Sequence, residues 1–240
     1  MKLELLDTYH IRVRLSASII ILAPVAITIF LCFQEIATVA SSSILIAVLL
    51  SFTNYLPIVQ RQIYQKKLPF KNYAAQFLMP NDEAVSSTSK KRYYKKLAEI
   101  DQTFAEFQNP NTSKSFYQCC ESAVRYLREK TRATPLVMEE NINYGFYRTL
   151  YSSKAIGISL CIVFGCLAVA YSLLCFKSVS LVPVSNYVAF STNIVLLAFW
   201  IFGVNQSSLE STAKQYAKAS IFPFLTSPLF LLRSVRHRRF

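Results

Sequence analysis

The sequence predicts an all-α membrane protein: four transmembrane helices as two hairpins, with a helical cytoplasmic domain inserted between spans 2 and 3. Three observations predict it. Four stretches, Leu15–Gln34, Ile36–Gln60, Ala155–Phe176 and Ser178–Asn205, contain no Asp, Glu, Lys or Arg. Each approaches the ~20 residues that a helix needs to cross ~30 Å of hydrocarbon. Glycine occurs only four times in 240 residues, which leaves helix as the prevailing structure. Finally, Lys177 is the single cation in either turn between paired spans, and the other 25 of the 26 Lys and Arg residues lie on the opposite side. This positive-inside bias places both termini and the central domain in the cytoplasm of an inner-membrane protein, with the turns near Gln34–Glu35 and Lys177–Ser180 outside. It also accounts for a net charge of +13 without invoking nucleic acid.

The division expected along the chain is a lead-in and first hairpin over 1–60, a cytoplasmic helical domain over 61–154, a second hairpin over 155–205 and a cytoplasmic helical tail over 206–240. Met1–Arg14 reads as a short interfacial segment. The first stretch does not read as a cleavable signal, because a second span follows it at once. Pro24 interrupts that first span, where neighbouring helices can accommodate a kink. The second span is rich in Ser and Thr, ends near Asn54 and Pro57, and its pattern runs on through Gln60–Lys67.

Leu68–Ser87, with Pro69 and Pro80, reads as an extended connector held by Phe70, Tyr73 and Phe77. A helix is expected from Ser87 or Thr88, with Tyr93, Leu97, Ile100, Phe104 and Phe107 as its apolar stripe. Asn109-Pro110-Asn111 ends it. A second helix is expected from about Ser113 to Arg132, with a stripe of Phe116, Cys120, Ala123, Val124 and Leu127, and the pair reads as an antiparallel hairpin. Leu136–Lys154 reads as a third helix that enters the third span without a stop. Gly157, Cys161 and Gly165 recur every four residues there and permit close helix packing. Pro183 suits the first turn of the fourth span. A last helix follows Asn205 along Leu209, Ala213, Tyr216, Ala217 and Ser220, with Pro223 and Pro228 expected to break it before the basic end.

The six cysteines do not form a disulfide framework. Cys119 and Cys120 diverge by about 100° on a helix and read as core thiols in a reducing compartment, not as metal ligands. Cys32 and Cys175 fall near the outer ends of their spans, where apolar-facing thiols are a simpler reading than a disulfide. No metal or other cofactor is expected.

Two segments concentrate polar chemistry. Lys90, Lys91, Arg92, Lys95 and Lys96 place five cations within seven residues, interleaved with Tyr93 and Tyr94. The roles open to this basic surface are contact with anionic lipid headgroups, binding of a phosphorylated small molecule or nucleic acid, and a merely solvated helix face. Nucleic acid is disfavoured because Tyr93 is better used on the apolar stripe. The second segment, Glu139–Arg148, holds Glu139, Glu140, Asn141, Asn143, Tyr144 and Arg148, with Gly145 free to admit a neighbour. It reads as a hydrogen-bond network that couples the cytoplasmic helices to the third span, as a ligand-sensing site, or as an interfacial tyrosine belt. Its adjacent carboxylates diverge on a helix, which argues against acid–base catalysis.

Glu140-Asn141-Ile142-Asn143-Tyr144-Gly145-Phe146-Tyr147-Arg148, followed by Lys154-Ala155-Ile156-Gly157-Ile158, resembles a motif of small uncharacterised bacterial inner-membrane proteins. Leu68-Pro69 and Lys91-Arg92-Tyr93-Tyr94-Lys95-Lys96-Leu97 resemble the same group, so the match runs over roughly Leu68–Gly157. The layout alone is similar to the SMODS-associated four-span effectors of bacterial antiphage systems. That similarity implies a regulated membrane-perturbing or pore-forming effector, a homo-oligomer controlled by its cytoplasmic domain. Asn186 and Asn193, seven apart on one face, are the candidate pore-lining residues. The alternative is a membrane-anchored interaction or scaffold protein that recruits a cytoplasmic partner.

An enzyme is not expected. The sequence has no Gly-rich phosphate loop, no HExxH and no GxSxG, and its two histidines, His10 and His237, stand at opposite ends. No span carries a charged side chain, which disfavours ion- or proton-coupled transport.

Overall fold

The computed structural model describes residues 9–32, 44, 46–56, 58, 72–179 and 183–226. Among them helices are the only regular structure: α1 (Ser16–Cys32), α2 (Ile46–Leu56), α3 (Tyr73–Phe77), α4 (Ser87–Ile100), α5 (Lys114–Thr131), α6 (Pro135–Ser152), α7 (Lys154–Val179), α8 (Val184–Ala198) and α9 (Gln206–Thr226). A π-helical stretch, His10–Leu15, leads into α1, and another, Phe199–Gly203, ends α8. A 3₁₀ segment, Gln102–Gln108, joins α4 to α5.

Among the described residues three helices are long and apolar enough to cross a membrane: Ile11–Cys32, Lys154–Phe176 and Val184–Gly203. The expected second span is represented by α2, which is short of a full crossing. The rest of that span, the turn at Gln34–Glu35, Gln60–Lys67, Leu68-Pro69, Phe70, Ser180, Pro228 and the basic end lie outside the described residues.

The helices form two compact units, divided at Asn141/Ile142 and Leu209/Glu210. The first unit contains α1, α2, the second part of α6, α7 and α8. Here α1, α7 and α8 pack each against the other two. Their shared core is Ala17 and Ile21 of α1, Cys161 of α7, and Trp200 and Val204 beyond α8, joined by Leu56 of α2 and Leu150 of α6. Near the other end Cys32, Ala168 and Ala189 form a smaller cluster. The smaller cluster consists of small residues only, which lets helix backbones approach closely there.

The second unit holds α3, α4, the 3₁₀ segment, α5, the first part of α6 and α9 from Glu210. Its core is aromatic: Phe77, Tyr93, Tyr94, Phe104, Phe107 and Phe116 pack with Leu97, Val124 and Leu127. Ala217 and Ile221 of α9 complete it, so the expected tail helix packs into the core of this second unit.

Local chemistry explains where the elements begin and end. Ser86 caps α4 by accepting from the Ser89 backbone N–H, and Ser113 caps α5 by accepting from that of Phe116 at 3.1 Å. The helix expected to run through Phe107 stops at Ile100. Asp101 is extended, at φ −154° and ψ 144°, and its carboxylate accepts from Thr103 N–H at 2.9 Å, which starts the 3₁₀ segment. Phe104 and Phe107 stay buried despite the break. The connector expected to be extended contains α3, capped by the Asn72 side chain. Pro223 lies inside α9 and does not end it.

Candidate functional site

The five-cation run does not lie on one surface. On α4 the buried positions are Lys90, Tyr93, Tyr94 and Leu97, the spacing of a single helix face. Lys90 is therefore turned into the structure, with 4% of its surface exposed, and the expectation that it belongs to a basic surface is corrected. Its ammonium group donates to the Met79 carbonyl at 2.6 Å and also to the Asp82 carbonyl. These bonds tie the segment between α3 and α4 onto the helix. Desolvation lowers the Lys90 pKa, with nearby Asp82 opposing the shift.

Lys91, Arg92 and Lys95 are exposed and Lys96 is half-buried. Arg92 lies over the Tyr93 ring at 5.9 Å. Lys91 and Lys95, one turn apart, stand on the rim of a groove of about 380 Å³. Tyr94, Ala98 and Glu99 of α4 line it on one side, and Phe107, Gln108 and Pro110 line the other. The Tyr94 hydroxyl points away from the groove and donates to the Leu78 carbonyl at 2.6 Å. Its ring stacks on Phe107 and meets Phe116 edge-on, at centroid distances of 5.5 and 6.0 Å. Burial pushes the Tyr94 ionisation well above the ordinary tyrosine range.

Beneath this floor Cys120 is fully buried, and burial, with smaller contributions from Cys119 and Glu106, pushes its thiol from an ordinary 9.0 up to about 12. Cys119 shifts in the same direction. Both are packing residues: a thiol held protonated is a poor nucleophile and a poor metal ligand. The groove holds two ammonium groups, one carboxylate and an apolar floor. That set suits binding and holds no nucleophile–base pair.

In the first unit Gly157 faces the indole of Trp200, which is fully buried; a Cβ at 157 would stand 2.2 Å from the ring. Cys161 follows in the same core. Gly165 is looser, with Asn193 Cβ at 3.7 Å from its position. Lys154, at the start of α7, donates to the carbonyls of Ile201 at 3.0 Å and Val204 at 2.7 Å. It thereby satisfies acceptors left open where α8 widens into its π-helical end.

The residues expected to act together over Glu139–Arg148 lie along α6. Glu139 is exposed, while Glu140, Asn141, Asn143, Tyr144 and Arg148 are half-buried around α6. Arg148 stacks over Tyr144 at 5.5 Å. Gly145 admits the Tyr9 hydroxyl, 2.7 Å from where a Cβ would stand, and Val13.

Asn186 and Asn193 are buried, at 1% and 2% exposure. Asn193 donates to Thr28 Oγ1 at 3.0 Å and to the Ala189 carbonyl at 2.9 Å. The Asn186 amide has no hydrogen-bond partner among the described residues.

Among the described residues no group of three or more His, Cys, Asp or Glu side chains is placed to hold a metal ion. No family model, curated protein or solved structure matches this chain.

Proposed function

We propose that this chain is a four-span inner-membrane protein with both termini and the second unit in the cytoplasm, and that it acts as an anchor that presents that unit to a cytoplasmic partner. One contrast carries the reading. The first unit turns large apolar side chains outward: Leu173, Val195 and Phe202 are 60%, 66% and 75% exposed, while the polar Ser18, Thr28, Thr53 and Asn193 are buried. The second unit is the reverse, with an aromatic core and exposed Lys91, Arg92 and Lys95. Apolar exposure on this scale is costly in water and neutral in hydrocarbon. The two units are thus suited to two different solvents.

The test is extraction and topology. The protein should resist alkaline carbonate, and single cysteines placed at Ser89 and Ser178 in a cysteine-free background should label from opposite sides of the membrane. Labelling of both from outside intact cells would overturn the topology.

A second reading, an oligomeric effector that perturbs the membrane as the SMODS-associated four-span proteins do, draws support from Asn186. A buried amide without a partner costs about 1–3 kcal/mol, which an opened and hydrated bundle would recover. Inducible expression with a membrane-potential dye separates the readings. Depolarisation that is lost in Asn186→Leu supports the effector; a steady potential at full expression removes it.

A further inference from the structure

The groove between α4 and the 3₁₀ segment is a shaped surface to which no role has been assigned so far. Its rim carries Lys91 and Lys95, and its floor is made by Tyr94, Phe107 and Pro110. About 380 Å³ is room for a few side chains. We propose that it docks an acidic segment of a partner protein, with carboxylates against Lys91 and Lys95 and an apolar or aromatic side chain seated on the floor. This deepens the anchor reading and rests on it, because it gives the recruited partner its chemistry.

Charge and shape select this occupant over the others. A membrane-binding basic cluster has about four to eight cations. With Lys90 buried and Lys96 half-buried, this run keeps three exposed cations, and Arg92 is over the Tyr93 ring. A flat lipid surface also leaves a concave floor unused. Nucleic acid would meet the carboxylate of Glu99 on the rim and that of exposed Glu106 on the 3₁₀ segment. An acidic peptide meets the same two carboxylates, but its charges are spaced so that they can be set against Lys91 and Lys95 while its apolar groups use the concave floor. Its charges alternate with apolar groups on the scale of one helical turn, and Glu99 fixes which end of an acidic segment can approach. The rim supplies rate and specificity, and the floor supplies the desolvated contact.

The test uses the full chain in nanodiscs of zwitterionic lipid. The probe is a short fluorescent peptide of Glu and Asp around one Phe, with a Phe→Ser version and a Lys-for-Glu version as comparisons. The acidic Phe peptide should bind saturably and more weakly as salt rises. Lys91→Glu/Lys95→Glu, which alters exposed side chains only, should reduce its affinity by about tenfold or more. Arg125→Glu/Arg132→Glu, an equal charge change at exposed positions elsewhere on the same unit, should leave it intact, and the Phe→Ser peptide should bind no better than the Lys-for-Glu peptide.

Absence of saturable binding overturns the proposal, as does equal loss in Arg125→Glu/Arg132→Glu. Displacement of the peptide by inorganic phosphate at similar concentration makes the groove a phosphate site instead. Capture of anionic vesicles through Lys91 and Lys95, with no peptide binding, makes the face a lipid contact. Carbonate extraction reports on the anchor reading separately: an integrated chain that ignores the peptide refutes the docking site alone, and a chain that binds it yet washes off the membrane refutes the anchor alone.

Discussion

The Asn193 amide donates to the Thr28 hydroxyl at 3.0 Å, linking α8 to α1 across 165 positions of sequence. Both side chains are buried between helices whose outer faces are apolar. Hydrogen bonds of this kind in membrane helices contribute about 0.6 kcal/mol on average. Asn193→Leu should therefore lower the melting temperature in detergent by a small but measurable amount. Thr28→Val should do the same, and the double variant should cost less than the sum of the two. Strict additivity would mean that the bond contributes nothing.

Gly157 leaves no room for a side chain. Gly157→Ala sets a methyl group against an indole that is packed on all sides, and overpacking of this type costs about 1–3 kcal/mol. Gly165→Ala, with its neighbour at ordinary contact distance, should cost much less. Detergent melting of the two variants side by side checks the contrast; equal losses would place the close approach elsewhere.

Lys154 closes the end of α8 through two carbonyl acceptors. Lys154→Met removes the donor and keeps the length of the side chain. The expected loss is about 1–3 kcal/mol for acceptors left without a partner, with partial recovery in Lys154→Arg. Melting temperatures that do not distinguish Met, Arg and Lys at this position would reduce the contact to a surface ornament.

Lys90 and Cys120 give the second unit opposite responses to alkali. The folded Lys90 pKa lies below its ordinary 10.5, so the unfolded chain binds the extra proton between the two values. Stability from this group rises with pH across that window, and Lys90→Met should remove the rise. The same substitution strips the donor from the Met79 and Asp82 carbonyls, and hydrogen exchange at Asp82 and Ala84 should quicken. Unchanged exchange there would show that the lysine does not hold this segment.

Cys120 runs the other way. Its thiol keeps its proton to about 12 when folded but ionises near 9.0 when unfolded. Its contribution is complete below pH 9 and falls by at most about 1.4 kcal/mol per pH unit above it. Tyr94, Tyr117 and Cys119 shift in the same direction and steepen the decline. Cys120→Ala should flatten the alkaline limb of a stability-against-pH curve while lowering the neutral plateau slightly. An unaltered slope would assign the alkaline loss to the tyrosines.

Much of the second unit was legible because its helices are amphipathic and capped. Ser113 and the stripe from Phe116 to Leu127 define α5 almost to the residue. Lys90 was misplaced although the signal was present: it stands three, four and seven residues before Tyr93, Tyr94 and Leu97, on the buried face. Composition labels such a residue as surface, and only the period corrects it. The break at Asp101 was hidden because Phe104 and Phe107 keep the apolar rhythm through a change of helix type. In the first unit the reverse problem holds. Its helices are apolar nearly all round, so periodicity does not say which face meets lipid and which meets protein. The burial of Asn186 and the partners of Asn193 and Gly157 were therefore invisible in the sequence.

Trp200 is the only tryptophan in the chain, and it is fully buried against Gly157. The intrinsic emission of the protein is consequently a report from one point, the contact of α7 with the end of α8. A blue-shifted spectrum, shielded from aqueous quenchers, belongs to the closed packing. Any movement of these two helices relative to each other is written in that single band, with no label attached and no other indole to dilute it.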